Sequence, residues 1–320
     1  MAMQISGVTI QGGMNILPAG GSSPSPGGGG ASNFGYTSGG NDGPVTRSNV
    51  IDKFPFASDA NATDVGDLTV ARSQLAGQSS TTSGYSSAGN NGSSYEATID
   101  KFTFTSDGNA SDVGDLSQTR EIPAGQSSDA SGYTSGGQAP AIGNVNTIDK
   151  FSFSVDGNAT DVGDLTVSRR TAAGQSSSDN GYTSGGTNPN SDTIDKFPFA
   201  SDANATDVGN LTTVNYGLTG QSSTVSGYVS GGYFDGSPSN LTAIDKFPFA
   251  SDSNATNVGD LTYKRYQAAG QSSTLSGYTS GGVEPTRLDL IDKFPFASDG
   301  NATDVGDLSV ARGQAAGLQY

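Results

Sequence analysis

The sequence predicts an all-β fold built from six copies of one unit, on three observations. The phrase Ile-Asp-Lys-Phe recurs at steps of 48, 49, 46, 50 and 47 residues, the length of a four-stranded propeller blade. Apolar and polar residues alternate within the units, whereas helical spacing is absent and glycine is frequent. The chain also ends in a strand-like segment that its first unit lacks. These observations predict a six-bladed β-propeller.

Each unit has a constant part and a variable part. The phrase begins at Ile51, Ile99, Ile148, Ile194, Ile244 and Ile291. In each of the first five units, 33 residues separate this Ile from the Gly of the next Gly-Tyr-x-Ser-(Gly/Ala)-Gly phrase. Between the closing glycine of that phrase and the next Ile, 7 to 11 residues intervene. The pattern predicts a rigid frame with one variable loop per blade.

Four strands are predicted in the first unit, over residues 35–38, 50–56, 64–68 and 75–79. The Ser-Asp-x-Asn-Ala-Thr segment between the second and third is dense in turn-forming residues. Alternation on the second strand places Ile51 and Lys53 on one face and Asp52 and Phe54 on the other.

The two ends of the chain predict how the ring closes. Five units end in a Gly-Gln-Ser-Ser segment directly before the next Gly-Tyr phrase, but none precedes Gly35. Residues 315–320, Ala-Ala-Gly-Leu-Gln-Tyr, resemble the missing strand. We therefore expect the C-terminal strand to pair into the first blade and remove a sheet edge.

Three regions are predicted along the chain. Residues 1–17 are expected to be a docking segment, and the Gly/Pro/Ser-rich residues 18–34 a linker. Residues 35–320 form the propeller, with units 35–83, 84–131, 132–180, 181–226, 227–276 and 277–320.

Composition excludes several classes of partner. The net charge of −16 and a pI near 4.1 argue against nucleic acid, whose phosphates need a basic surface. No run approaches the roughly 20 apolar residues of a membrane span, and residues 1–8 lack a secretory signal pattern. Cys is absent, so disulfides do not contribute to the fold.

The unit resembles the kelch repeat, which has a glycine pair, a strand, a turn, and a strand with Leu followed by Arg. In this chain the pattern runs from Gly132 through Gly136-Gly137, Ile148 and Leu165 to Arg169. The Ser-Asp-x-Asn-Ala-Thr turn is also similar to the Asp-box turn of sialidase-type propellers. Arrays of this low-complexity, Asn/Asp/Ser/Gly-rich kind resemble the tail-fibre and virion proteins of marine bacteriophages. The resemblance implies a propeller within a virion.

Antiparallel connectivity sorts the loops onto two faces of the disc. One face holds the variable loops 41–50, 90–98, 138–147, 187–193, 233–243 and 283–290, together with the links that follow the Arg position. The other holds the nearly identical Ser-Asp-x-Asn-Ala-Thr and Gln-Ser-Ser turns. Loops on a rigid scaffold often carry binding specificity, although neutral drift produces the same pattern. Candidate binding residues in the loops are Tyr95, Tyr233, Phe234, Asp235, Asn188 and Asn190.

The sequence contains few candidate residues for catalysis or metal binding. His is absent, which removes the commonest general base and most transition-metal sites, and no catalytic residue or cofactor is predicted. The run Asp59, Asn61, Asp64 and Asp67 resembles a calcium loop, although Asp and Asn also stabilise turns without metal.

A second repeated position carries Arg72, Arg120, Arg169, Arg265 and Arg312. These arginines are expected to pair with the repeated aspartates within their own blade. The fourth unit has Asn215 at this position.

The sequence thus favours a non-enzymatic virion structural protein, tail-fibre-like and exposed on a particle assembled in host cytoplasm. Residues 1–20 would bind other virion proteins, and the variable loops a host-surface glycan or protein. One alternative is a capsid or surface-layer scaffold that binds no receptor. Another, less favoured, is a glycan-degrading propeller enzyme, for which converging carboxylates are missing from the variable loops.

Overall fold

A computed structural model describes residues 33–43, 46–235 and 240–319. These residues form strands, turns and bends, and none of them is helical. The described residues contain six antiparallel four-stranded sheets, the blades, and one two-stranded ribbon in a loop of blade 3. The predicted docking segment 1–17, and the predicted linker 18–34 except its last two residues, lie outside the described residues.

Each blade has four strands that follow one another from the ring axis outward. From blade 1 to blade 6, the innermost strands are β26 (Ala316–Gln319), β4 (Ala76–Ser79), β8 (Ala124–Ser127), β14 (Ala173–Ser176), β18 (Thr219–Ser222) and β22 (Ala269–Ser272). In the same blade order, the second strands are β1 (Phe34–Ser38), β5 (Ser83–Ser87), β9 (Ser131–Ser135), β15 (Asn180–Ser184), β19 (Ser226–Ser230) and β23 (Ser276–Ser280). The third strands are β2 (Val50–Pro55), β6 (Thr98–Thr103), β12 (Thr147–Ser152), β16 (Thr193–Pro198), β20 (Ala243–Pro248) and β24 (Leu290–Pro295). The outermost strands are β3 (Thr63–Asp67), β7 (Ser111–Asp115), β13 (Thr160–Asp164), β17 (Thr206–Asn210), β21 (Thr256–Asp260) and β25 (Thr303–Asp307). The ribbon pairs β10 (Gln138–Ala139) with β11 (Gly143–Asn144).

The C-terminal strand closes the ring, as the sequence predicts. β26 pairs antiparallel with β1, so that Gly35 faces Gln319 and Tyr36 faces Leu318. The innermost strand of every other blade likewise comes from the end of the preceding sequence unit. Predicted and observed bounds of the first-unit strands differ by only one residue at either end.

A ring of glycines lets the six innermost strands meet around the axis. A Cβ atom on Gly174 would lie 2.1 Å from the carbonyl oxygen of Gly125, and one on Gly317 would lie 2.1 Å from that of Gly270. The same close approach runs through all six blades, at Gly77, Gly125, Gly174, Gly220, Gly270 and Gly317. The Gly of the repeated Gly-Gln-Ser-Ser segment is therefore required by backbone contact between neighbouring blades.

Aromatic side chains form the core between blades. The Tyr of each Gly-Tyr phrase packs on two Phe residues of the next blade, as Tyr85 does on Phe151 and Phe153. Ring centroids of the Tyr and its nearer Phe lie between 4.5 and 4.9 Å apart at all six junctions. The junction of Tyr278 with Phe56 joins blade 6 to blade 1. A low apolar content suffices because each blade buries one thin aromatic layer.

The buried tyrosines predict loss of stability at alkaline pH. Burial raises the pKa of Tyr182 and of Tyr278 from 10.0 to about 12. Because these folded-state values exceed the unfolded one, the stabilisation is complete below pH 10 and is lost as the pH rises through about 12. We expect tyrosinate absorbance to rise together with loss of the β-sheet circular dichroism signal. Ionisation of all tyrosines near pH 10, with the fold intact, would contradict the burial of these rings between blades.

The constant face is held together by polar contacts between neighbouring blades. The Lys of each Ile-Asp-Lys-Phe phrase pairs with the turn Asp of the next blade at 2.8 to 3.1 Å. The turn Asn accepts a hydrogen bond from the outermost strand of the preceding blade, as Asn61 Oδ1 does from the Asp307 N–H at 3.1 Å. These contacts explain why the turn sequence barely varies.

Buried ion pairs join the arginine position to the repeated aspartate. Arg72 Nη1 lies 2.8 Å from Asp100 Oδ2, and both side chains have no exposed surface. The other pairs are Arg120–Asp149, Arg169–Asp195, Arg265–Asp292 and Arg312–Asp52. Pairing with the repeated aspartates is as predicted, but the partner lies in the next sequence unit. The expectation that each Arg serves only its own blade is therefore wrong. Arg72 follows the outermost strand of blade 1, whereas Asp100 lies on β6 of blade 2.

Candidate binding face

The variable face is the side of the disc formed by the six loops that follow the glycine pairs and the six links that lead to the next innermost strand. Each loop is joined to a link by an isolated β-bridge at its first residue. The bridges are Asn41–Gly313, Ser73–Asn90, Glu121–Gln138, Arg170–Thr187, Tyr216–Tyr233 and Tyr266–Val283. Six variable pairs therefore encircle the axis on a fixed backbone.

A second backbone ring fixes the mouth of the axial channel. The link residue after each bridge adopts a left-handed conformation, at φ 55° to 65°. Its N–H donates to the carbonyl of its counterpart in the preceding link, as Gln74 N does to Gln314 O at 2.7 Å. The ring comprises Gln74, Ile122, Thr171, Gly217, Gln267 and Gln314. Because Ile122 is β-branched, its positive φ costs free energy that the ring contact offsets.

The channel mouth is shallow. Its cavity volume is about 130 Å³, and each blade contributes the same four consecutive positions to its lining, as residues 74–77 do in blade 2. The glycine ring lies at its base, where Gly77 and Gly317 also line the cavity on the opposite side. Small-molecule sites are commonly about 300–1,000 Å³, so the geometry favours contact with a surface ligand over enclosure of one.

Three tyrosines form the largest aromatic group on the variable face. Tyr233 lies between Tyr216 and Tyr266, with ring centroids 5.2 Å from the first and 5.7 Å from the second. All three are partly buried, so each ring keeps some surface open to solvent. The bridge between Tyr216 and Tyr233 fixes this cluster, which joins the loop of blade 5 to the two flanking links.

An acidic and amide rim adjoins the tyrosine cluster. Tyr216 donates its hydroxyl hydrogen to Asp235 Oδ1 at 2.9 Å, and Asn190 Nδ2 donates to the other Asp235 oxygen. Burial, and then the Asp235 carboxylate, raise the pKa of Tyr216 to about 12. The hydroxyl therefore stays protonated and keeps donating. Asp235 is exposed and presents a fixed acceptor beside the rings.

The predicted site residues divide into two regions. Tyr233, Asp235 and Asn190 come together, and half-buried Phe234 lies between the first two in sequence. Asn188 belongs to the same loop as Asn190, and its carbonyl accepts a hydrogen bond from Asn144 Nδ2 at 2.8 Å.

Tyr95 lies apart from this group, in blade 2, three blades from blade 5. Burial, and then hydrogen bonding to Glu121, raise the pKa of Tyr95. Tyr95 therefore belongs to a separate part of the variable face.

Tyr216 and Tyr266 were not among the sequence candidates, because they lie in the links. A sequence signal did exist, since both follow the arginine position. The position directly after it holds Ser73, Glu121, Arg170, Tyr216, Tyr266 and Gly313 in the six links. Such variation within an otherwise constant segment marks a second variable position on this face.

The calcium candidates have separate partners. Asp59 Oδ1 accepts from Lys293 Nζ at 3.1 Å, Asn61 Oδ1 from Asp307 N, and Asp64 Oδ1 from Gly66 N at 3.1 Å. The Asp67 backbone N–H donates to Asn109 Oδ1 at 3.1 Å. Over the described ranges, no group of three or more acidic residues is placed to hold a metal ion.

The described residues contain no helix that is long and apolar enough to cross a membrane.

No protein-family model matches the chain, and no curated protein matches it significantly. The fold and the face define the class of this protein as a six-bladed β-propeller with one constant and one variable face.

Proposed function

We propose that the protein is a non-enzymatic binding propeller whose variable face holds a host-surface glycan or a partner protein. The observation that carries this proposal is the cluster of Tyr216, Tyr233 and Tyr266 beside Asp235 and Asn190. Aromatic faces bordered by fixed polar groups suit the apolar and hydroxylated faces of a sugar ring, and also suit protein side chains. The closed ring supplies a rigid backbone for the site.

We further propose that this propeller belongs to a virion, as a tail-fibre-like component attached through residues 1–20. Its support is the kelch-like motif and the compositional resemblance to phage structural proteins. Ion pairs and hydrogen bonds join neighbouring blades, and the chain has no Cys to form disulfides. Stabilisation of this kind is consistent with a component exposed on the surface of a particle. On this proposal the constant face has a structural role, and selection for a partner acts on the loops and links.

Binding to a glycan array tests the site. We expect the protein to retain a subset of glycans and Tyr233→Ala to reduce binding at least about tenfold, because it removes the central ring of the cluster. Tyr263→Ala is the matched control, since Tyr263 is an exposed link tyrosine outside the cluster and its loss should leave binding unchanged.

Other outcomes distinguish the alternatives. If the protein bound virion or surface-layer proteins but no glycan, and Tyr233→Ala abolished that binding, the result would favour the capsid or surface-layer scaffold. Release of sugar from an array glycan would contradict the non-enzymatic proposal. Equal binding by Tyr233→Ala and Tyr263→Ala would remove the tyrosine cluster as the site.

A further inference from the structure

One of the six blade junctions lacks its buried arginine. Asn215 occupies this position between blades 4 and 5, yet the repeated aspartate remains as Asp245. Both residues are 6% exposed. Five junctions therefore balance a buried carboxylate with a guanidinium, whereas no described basic side chain forms an ion pair with Asp245 at the sixth.

Among the residues that the structure describes, the hydrogen bonds at this junction leave two oxygen atoms without partners. Asp245 Oδ2 accepts from the Thr212 backbone N–H at 2.9 Å and from the Thr212 hydroxyl at 2.6 Å, whereas Oδ1 accepts from nothing. Asn215 Nδ2 donates to Gly231 O at 2.9 Å, and Asn215 Oδ1 is likewise without a partner. Both atoms are buried, so bulk solvent does not compensate them.

A small cavity lies where the guanidinium would be. Asp245 and Asn215 form part of its wall, and Leu211, Leu218 and Leu241 form much of the rest. Its volume is about 10 Å³, close to the room that one water-sized particle needs. The leucine side chains cannot donate a hydrogen bond to either oxygen.

A backbone carbonyl adds a third acceptor to this wall. Val229 lines the cavity and occupies the position that Thr134 has in blade 3 and Thr183 in blade 4. The carbonyls of those two residues accept from Arg120 Nη2 at 3.0 Å and Arg169 Nη2 at 2.9 Å. At the arginine-free junction this donor is missing. The cavity thus gathers oxygen acceptors that a cation satisfies elsewhere in the ring.

We propose that this cavity binds a single small monovalent cation, with Asp245 Oδ1 and Asn215 Oδ1 as ligands. Hard cations prefer such oxygen ligands. A water molecule could donate to both atoms but would leave the buried charge unbalanced, which is costly. Asp149 Oδ1 also lacks a partner, but there Arg120 balances the charge. At the other junctions one guanidinium balances one carboxylate. The equivalent cation at this junction therefore carries one positive charge rather than two.

Thermal unfolding in different chloride salts at equal ionic strength tests the proposal. We expect the full chain to melt about 3 °C higher in sodium or potassium chloride than in tetramethylammonium chloride, whose cation exceeds the cavity. Crystals soaked in a rubidium salt should show an anomalous peak beside Asp245 Oδ1. The peak locates the ion independently of stability.

Two variants separate this site from general screening of an acidic surface. Asn215→Arg supplies the charge found at the other five junctions. In tetramethylammonium chloride this variant should therefore melt at a higher temperature than the unmodified protein. Its melting temperature should no longer depend on the size of the cation. Asp245→Asn removes the charge and should lose the dependence as well. Equal melting of the unmodified protein in all three salts, with a water molecule instead of rubidium in the cavity, would overturn the proposal. A cation effect that persists in Asn215→Arg would assign it to the surface and overturn it too.

Discussion

Removal of residues 313–320 is expected to lower the melting temperature by at least about 10 °C or to prevent folding. The deletion removes β26, and with it the strand that pairs along β1 from Gly35 to Ser38. It also removes Leu318, which is 1% exposed and packs with Tyr36 in the core between blades 1 and 2. Loss of a buried Leu alone costs about 2–5 kcal/mol.

The deletion also breaks rings that run through all six blades. Gln314 contributes to the hydrogen-bonded ring at the channel mouth, and Gly317 to the glycine ring. Gln319 accepts from Ser272 N at 3.3 Å, a contact made by serine hydroxyls in the other blades. The exposed edge of β1 would moreover favour pairing between molecules.

Differential scanning calorimetry of the truncated chain measures the effect, with removal of Tyr320 alone as the control that keeps β26. A synthetic peptide of residues 313–320, added in excess, should restore part of the loss by binding the folded form. An unchanged melt after the longer deletion would contradict closure of the ring by this strand.

Most of the fold follows from the sequence because its strongest constraints are local and repeated six times. The constant spacing of 33 residues defines strands and turns, and Gly317 and Gln319 stand in a segment that matches the innermost strands. Only the first unit lacked that strand, so the closing partner could be predicted without knowing any distance. Strand bounds were accurate because Gly and turn residues flank each strand.

The contacts between blades are less accessible to sequence reasoning. Arg72 and Asp100 lie 28 residues apart in neighbouring units, and the spacing of the repeat does not show which blade's aspartate the guanidinium contacts. The partner of each Arg depends on how two neighbouring blades pack together, which is a tertiary contact. The same limitation applies to Asn61, whose amide oxygen accepts a hydrogen bond from blade 6, whereas the sequence favours a role in a local turn.

The candidate site was predicted in part. Tyr233, Asp235 and Asn190 were found because the loops vary in length, which is visible in one sequence. Sequence reasoning misses Tyr216 and Tyr266 because the links keep a constant length, so no difference in length marks them as variable. Packing of the three rings depends on the bridge at Tyr233, and that pairing is a tertiary contact.

Replacement of Arg72 by Met is expected to destabilise the protein by about 3–5 kcal/mol, since it leaves the Asp100 carboxylate buried without its counter-charge. Arg72 Nη1 donates to Asp100 Oδ2 at 2.8 Å and Nη2 to Ser86 O at 2.9 Å, both away from solvent. The remaining donors to Asp100 are the backbone and hydroxyl of Thr69. Denaturant unfolding at neutral pH measures the loss.

Two further variants assign that loss to the buried charge. Arg72→Met combined with Asp100→Asn should recover part of the stability, because an amide oxygen can still accept from Thr69 while no charge remains buried. Lys150→Met makes the equivalent change in the exposed pair with Asp202, whose side chains are 30% and 58% exposed, and should cost less than about 1 kcal/mol. If Arg72→Met were as mild as Lys150→Met, the buried pairs would not stabilise the ring, and the absence of an arginine at Asn215 would need no compensation. If the double variant were as unstable as Arg72→Met, the loss would come from packing of the long side chain rather than from the carboxylate.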